Sequence, residues 1–275
     1  MTINCKGNLV DLSTPKVMGI INLTPDSFYD GGKLKSDISI LNRAETILNE
    51  GGTFLDVGGY SSRPGADDVP IEEELKRVIP AIEKISEKFP EAYVSIDTFR
   101  SLIAKAAVEA GACIVNDISG GNLDEHMLKT VAEIKVPYIA MHMKGTPQNM
   151  KSKTDYEDIV FEMINYFSGI IEKANSFKLH DIIIDPGFGF AKTLEQNYEV
   201  LSKLQLFSVL DRPILVGISR KSMAYKPLEK SAGDALNATT VLNTLALHKG
   251  ANILRVHDVA EAVECIKITS LLDHE

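Results

Sequence analysis

Residues 93–118, YVSIDTFRSLIAKAAVEAGACIVNDI, decide the fold. The stretch opens on a short run rich in Tyr, Val and Ile (93–98) and closes on a second, Cys-Ile-Val-Asn-Asp-Ile (113–118), both with the length and composition of strands. The Ala-rich segment between them has the length of a helix. Strand, helix, strand in so short a stretch is the repeating unit of a parallel α/β sheet.

Outward from it, the same alternation runs from about Lys16 to the C-terminus. Strand candidates fall at 16–22, 54–59, 93–98, 113–118, 137–142, 181–185, 213–218 and 252–257, each followed by a helix-length segment. Eight such units predict a closed (β/α)8 TIM barrel, and 275 residues suit one domain spanning 1–275. In 71–88, Ile71, Leu75, Val78, Ile79, Ile82 and Ile85 recur at helical spacing among Glu and Lys, so they are expected in the core. The polar stretch from Lys144 to Lys153, which contains Pro147, reads as a loop before a long helix starting near Asp155.

A net charge of -9 argues against a nucleic-acid or membrane-surface protein, so any anion site must be local. The N-terminal MTINCKGNLVDLSTPK lacks a secretory apolar core, and no run of about 18 uncharged apolar residues follows. A cytoplasmic protein is expected. Cys5, Cys113 and Cys265 are far apart in sequence and form no CxxC pair, which suits reduced, structural cysteines.

Polar residues gather at the C-terminal ends of the strand candidates: Asn22, Asp56, Asp97, Asn116, His142, Asp185, Lys221 and His257. One strand-end Asp more often caps the next helix. Many of them converging from different strands mark the catalytic face of a barrel. The segment Asn22–Gly32 is long for a tight connection and reads as a functional flap, while Gly58–Gly65 sets Ser62 and Arg63 beside Pro64 and three glycines. Asp97, Asn116 and Asp185 would suit a flat heterocycle rich in N–H donors, guanine-like or pterin. Arg255 and His257, two apart on the last strand, share a face and with Asn22 form a candidate phosphate site. A separate acid-lined pocket and anion site suggest a heteroaromatic ligand with a phosphate tail. Ser219-Arg-Lys-Ser222 adds cations and hydroxyls, and of the two phenylalanines after Asp185, Phe188 suits core or pocket, whereas Phe190 looks like a pocket wall.

The motifs MGIINLTPDSFYDGG (18–32), GGYSSRPGA (58–66), SIDTFR (95–100), NDISGG (116–121), IDPGFGFAK (184–192), SRKS (219–222) and RVHD (255–258) resemble, in order, those of the dihydropteroate synthase family of pterin-binding enzymes. The resemblance implies a transferase of folate synthesis that joins 6-hydroxymethyl-7,8-dihydropterin diphosphate to p-aminobenzoate, and that sulfonamides inhibit. It implies pterin binding by Asp97, Asn116, Asp185 and Lys221, and diphosphate binding by Asn22, Arg63, Arg255 and His257, with Asn22 reaching Mg²⁺. Asp97, Asp185, Lys221, Arg255 and His257 would carry the chemistry. Ser62, Arg63, Pro64, Phe190, Lys221 and Ser222 would frame p-aminobenzoate, with its carboxylate near Ser222 and the helix N-terminus. Phe28, Asp30 and Arg63 would belong to loops closing over the site, and a homodimer through the barrel wall is expected.

Two positions depart from the family pattern. Ser62 stands where Thr is usual, a methyl worth roughly 1 kcal/mol of packing against the aryl ligand, and Ala191 stands where many members have Gly. Competing readings are a pterin-binding methyltetrahydrofolate:corrinoid methyltransferase, which would share the carboxylates but not need the Ser219–Ser222, Arg255 and His257 set, and a catalytically silent paralogue.

Overall fold

The computed structural model describes residues 1–23, 32–60 and 68–272, the side chains of 32–36 excepted. The chain opens with an antiparallel hairpin, β1 (Thr2–Cys5) and β2 (Asn8–Asp11). Its turn residues Lys6 and Gly7 both have positive φ, 54° and 82°, the backbone of a two-residue hairpin turn matched to strand twist. The sequence reading began at Lys16 and missed this hairpin.

Then the barrel begins: β3 (Lys16–Asn22), α1 (Gly32–Asn49), β4 (Phe54–Gly58), α2 (Ile71–Lys88), β5 (Tyr93–Asp97), α3 (Ser101–Glu109), β6 (Ile114–Asp117), α4 (Met127–Ile134) and β7 (Tyr138–Met141). The second half is α5 (Ile159–Ser176), β8 (Ile182–Asp185), α6 (Leu194–Ser202), β9 (Leu215–Val216), α7 (Ser222–Tyr225), α8 (Leu236–His248), β10 (Ile253–Val256) and α9 (Val259–Thr269). The eight strands β3 to β10 run parallel in the order β8-β7-β6-β5-β4-β3-β10-β9. A parallel bridge between Ile184 and Ile214 joins the two ends, with the Ile184 N–H donating to the Pro213 carbonyl at 2.9 Å. The (β/α)8 barrel expected from the sequence is therefore the observed fold.

The stretch 93–118 folds as β5, α3 and β6, and its register sets Asp97 beside Asn116. Helix α2 spans the expected residues and buries Val78, Ile82 and Ile85, but Ile71, at its first turn, is exposed. The long helix after β7 begins at Ile159 rather than near Asp155, because the Asp158 carboxylate caps it, accepting from the Val160 and Phe161 N–H groups.

Two apolar layers position the site. One fills the space between strands and helices. The other fills the N-terminal end of the barrel, where Met18, Phe54, Ile114, Ile139, Ile183, Leu215 and Ile253 meet Ile3, Cys5, Val10 and Leu12 of the hairpin. With that end sealed by hydrocarbon, the polar interior residues collect at the opposite mouth. Among the described residues no helix is long and apolar enough to cross a membrane, and all three cysteines are free and buried, as expected.

Candidate active site

Neighbouring strands carry the interior carboxylates: Asp56 on β4, Asp97 on β5 and, beyond Asn116 on β6, Asp185 at the end of β8. Arg255 crosses from β10 to meet two of them, donating through Nε to Asp56 at 2.6 Å and through Nη2 to Asp97 at 2.7 Å. The Asn116 amide also donates to Asp56, at 3.1 Å. Burial pushes the Asp97 carboxyl up to about 7; Arg255 opposes that rise and Asp56 adds to it. Burial likewise raises Asp185 above the usual carboxylate range, with Lys221 the main opposing charge.

This geometry corrects the expected separation of an acid-lined pocket from an Arg255/His257 anion site. Arg255 does point inward, as its spacing predicts, but its side chain is long enough to lie among the carboxylates that need a counter-charge. His257 follows the end of β10, where its ring meets Ser219.

The turn after β8 brings Asp185, Phe190 and Lys221 together. Asp185 accepts from the Gly187 N–H at 2.8 Å. Gly187 has φ +67°, and a Cβ there would run into the His142 carbonyl, so only glycine fits this turn. Lys221 donates to the Phe188 carbonyl at 2.7 Å and lies 4.7 Å from the Phe190 ring centroid. Burial lowers its amine to about 8, with Asp185 resisting. Phe188 itself is fully buried core, while Phe190 is half-buried at the pocket side.

Beneath this turn, the Lys192 amine donates to the Gly187 and Phe190 carbonyls at 3.0 and 3.1 Å and meets His142 Nδ1 at 3.1 Å. Ala191 sits at φ 47°, a left-handed conformation that costs a non-glycine residue about 1 kcal/mol, which accounts for glycine being frequent there in the family pattern. The rim opposite is built by the loop after β9 and the end of β10. There Arg220 forms a two-point ion pair with Asp258 at 2.9 and 2.7 Å and Ser219 touches His257. Burial, then Arg255, lowers the His257 imidazole to about 4.

The structure thus gathers Asp97, Asn116, Asp185, Phe190, Lys221 and Arg255 in and around one barrel mouth, with His257 just past the end of β10. Asn22 ends β3, the strand paired with β4 and β10. Ser222 opens α7, but that helix is a single turn, so it offers a carboxylate little of the macrodipole expected from the sequence. Phe28, Asp30, Ser62, Arg63 and Pro64 lie outside the described residues. The flanks of the Ser62–Pro64 loop are pinned, with Tyr60 Oη donating to Asp68 at 3.2 Å and Arg100 donating to Asp68, Glu74 and the Val69 carbonyl.

The sequence reading gave Lys192 no role, counted Asp56 only among the strand-end polar residues, and took Ser219 and Arg220 only as part of a segment rich in cations and hydroxyls. Asp56 had a signal, a carboxylate inside the otherwise apolar strand FLDVG. Lys192 carried none beyond lying in a motif, since its partners Gly187 and Phe190 are backbone carbonyls that come within reach only once the turn has folded, and Arg220 finds its carboxylate at Asp258, 38 residues away.

A barrel mouth lined by buried acceptors for a flat heterocycle, beside cations suited to an anionic tail, defines an enzyme of the pterin-binding class. The pterin binding enzyme family matches residues 18–257. The dihydropteroate synthase of Escherichia coli (strain K12) is 40% identical over 270 residues, 98% of this chain and 95% of its own length. That of Synechocystis sp. is 41% identical over 93% of this chain and 89% of its own. Among solved structures, a Yersinia pestis dihydropteroate synthase in a sulfonamide drug complex superposes with a TM-score of 0.92 at 36% identity, covering both chains completely. The Xanthomonas albilineans enzyme with 4-aminobenzoic acid gives 0.92 at 35% identity, covering 100% of this chain and 98% of its own. The chain belongs to the dihydropteroate synthase family, transferases of folate biosynthesis.

Proposed function

We propose that residues 1–275 act as one pterin-binding barrel in which p-aminobenzoate displaces diphosphate from 6-hydroxymethyl-7,8-dihydropterin diphosphate. The C–O bond to diphosphate breaks, the aniline nitrogen bonds the pterin methylene, and that nitrogen loses a proton, giving 7,8-dihydropteroate. The observation that carries this reading is the convergence of Asp97, Asn116 and Asp185 with Arg255 and Lys221 in one mouth.

Asp97, Asn116 and Asp185 take the N–H face of the pterin, and Lys221 supplies a donor beside it. Arg255 and His257, with Asn22 and Arg63, receive the diphosphate; positive charge on the departing oxygens favours cleavage. Asp97 and Asp185 stabilise positive charge developing on the electron-rich ring, so departure of diphosphate runs ahead of attack. Phe190 and the stem of Lys221 make the apolar wall for the aryl ring, completed by Ser62, Arg63, Pro64 and Ser222, and sulfonamides occupy the same place. Phe28, Asp30 and Arg63 belong to the loops that exclude water.

Among the described residues no three His, Cys, Asp or Glu side chains converge to hold a metal ion. Asn22 offers a single amide oxygen, which suits Mg²⁺ shared with substrate phosphates rather than caged by protein. Such an ion would neutralise charge on the leaving group. Free buried cysteines suit a reducing cytoplasm. For a homodimer through the barrel wall, Val241 and Leu245 of α8 and Ile268 of α9 offer exposed apolar surface.

The test is diphosphate release with Mg²⁺, with and without p-aminobenzoate, in the wild type and Lys221→Ala. Release that requires p-aminobenzoate and is lost in the variant supports the reading. A wild type that binds pterin without releasing diphosphate overturns it.

A further inference from the structure

We propose that Ser219 is a positioning residue that holds His257 as the Nε2–H tautomer, so that the ring meets the departing diphosphate as a neutral hydrogen-bond donor. The inference rests on the reading of this rim as the diphosphate site.

The geometry is a two-point contact. The His257 backbone N–H donates to Ser219 Oγ at 3.1 Å, and the same Oγ lies 3.1 Å from His257 Nδ1. A serine hydroxyl has one hydrogen and accepts through its lone pairs. With the backbone N–H already aimed at the oxygen, two arrangements remain for the ring. If Nδ1 carried the proton, Oγ would accept twice, and its own hydrogen would be left without an acceptor among the described residues at a nearly buried position. If Nδ1 is bare, the hydroxyl donates to it, every group is satisfied, and the ring proton sits on Nε2. Leaving a buried donor unpaired is the costlier choice.

The surroundings hold the ring in place and make that proton useful. Arg43 Nη2 donates to the His257 carbonyl at 2.6 Å, and the Arg220–Asp258 pair ties together the two chain segments that carry Ser219 and His257. Nε2–H gives an oxyanion a donor without adding a fourth positive charge beside Arg43, Arg220 and Arg255. The opposite tautomer would turn a lone pair toward the same oxygen and repel it.

The tautomer is read by long-range ¹H–¹⁵N correlation spectra of the full-length enzyme labelled at histidine, the His257 signals being those lost in His257→Gln. The expected wild-type pattern is protonated Nε2 and bare Nδ1; Ser219→Ala should shift it toward a mixture, and Ser219→Thr, which keeps the hydroxyl, should restore it. In parallel, the dissociation constant for inorganic pyrophosphate with Mg²⁺ should rise about tenfold in Ser219→Ala and recover in Ser219→Thr. An Nδ1–H signal in the wild type, or an unchanged tautomer in Ser219→Ala, overturns the proposal without needing any binding result. Unchanged pyrophosphate affinity despite a shifted tautomer overturns its functional half. A wild type that binds no pyrophosphate overturns instead the diphosphate reading on which the proposal rests.

Discussion

The Arg255 guanidinium donates to Asp97 across the barrel interior at 2.7 Å while its Nε holds Asp56 at 2.6 Å. One cation thus answers two carboxylates, and Asp56 is fully buried with its Oδ1 lacking a partner among the described residues. A ligand with an N–H face for Asp97 and an anionic tail for Arg255 satisfies both halves of this pair at once. The residues proposed for the pterin and diphosphate sites are therefore one electrostatic unit.

That unit makes pterin affinity depend on pH. Burial raises Asp97 to about 7, and the protonated carboxyl cannot accept through the oxygen that carries the proton. Pterin donors favour the ionised form, so binding expels the proton and protons compete with the ligand. Affinity should be level above about pH 7 and fall below it, approaching tenfold per pH unit. Asp97→Asn should bind weakly, with this dependence removed. Calorimetric titration with a pterin across this range checks it; a flat wild-type profile would contradict the role given to Asp97.

Lys192 holds the turn that carries Asp185 and Phe190. Replacement by Met keeps the volume but strips the donor from the Gly187 and Phe190 carbonyls and the partner from His142 Nδ1, at a cost of about 2–3 kcal/mol. The Lys192 pKa, lowered by burial to about 7 from 10.5, lies below its unfolded value. Between these values the unfolded chain holds a proton that the folded one has released, so this residue's contribution to stability rises with pH and is lost as pH falls toward 7. Urea unfolding at pH 7 and 9 should therefore show a larger wild-type advantage at the higher pH. The KM for p-aminobenzoate should rise more than kcat falls, because the wall at Phe190 loosens.

Much of this arrangement was legible in the sequence because barrel strands put their functional residues at one end. The run 93–118 folded as read, register set Asp97 beside Asn116, and Asp185 closes β8. The hairpin escaped notice because its left-handed turn uses Lys6 before Gly7 rather than the usual Asn or Asp. Asp56 looked like any strand-end carboxylate, and only three dimensions show Arg255 and Asn116 converging on it. Spacing gave the direction of Arg255 correctly but not its reach, which is why Arg255, read as part of a separate group, lies in contact with the carboxylates.

The division of the barrel into a sealed end and a reactive end gives a last prediction. Leu12 is fully buried against the floor formed by residues such as Met18 and Phe54, and the carboxylates lie at the other end of the same strands. Leu12→Ala removes buried hydrocarbon and leaves a cavity that the closed floor cannot collapse to fill, costing about 3 kcal/mol. Thermal or urea unfolding should show that loss, while kcat and both KM values at 25 °C stay within about twofold, since the strands remain paired and the mouth is untouched. A fall in kcat comparable to that of a mouth variant, with the protein still folded, would mean that floor packing sets the register of the carboxylates and that the two ends are not independent.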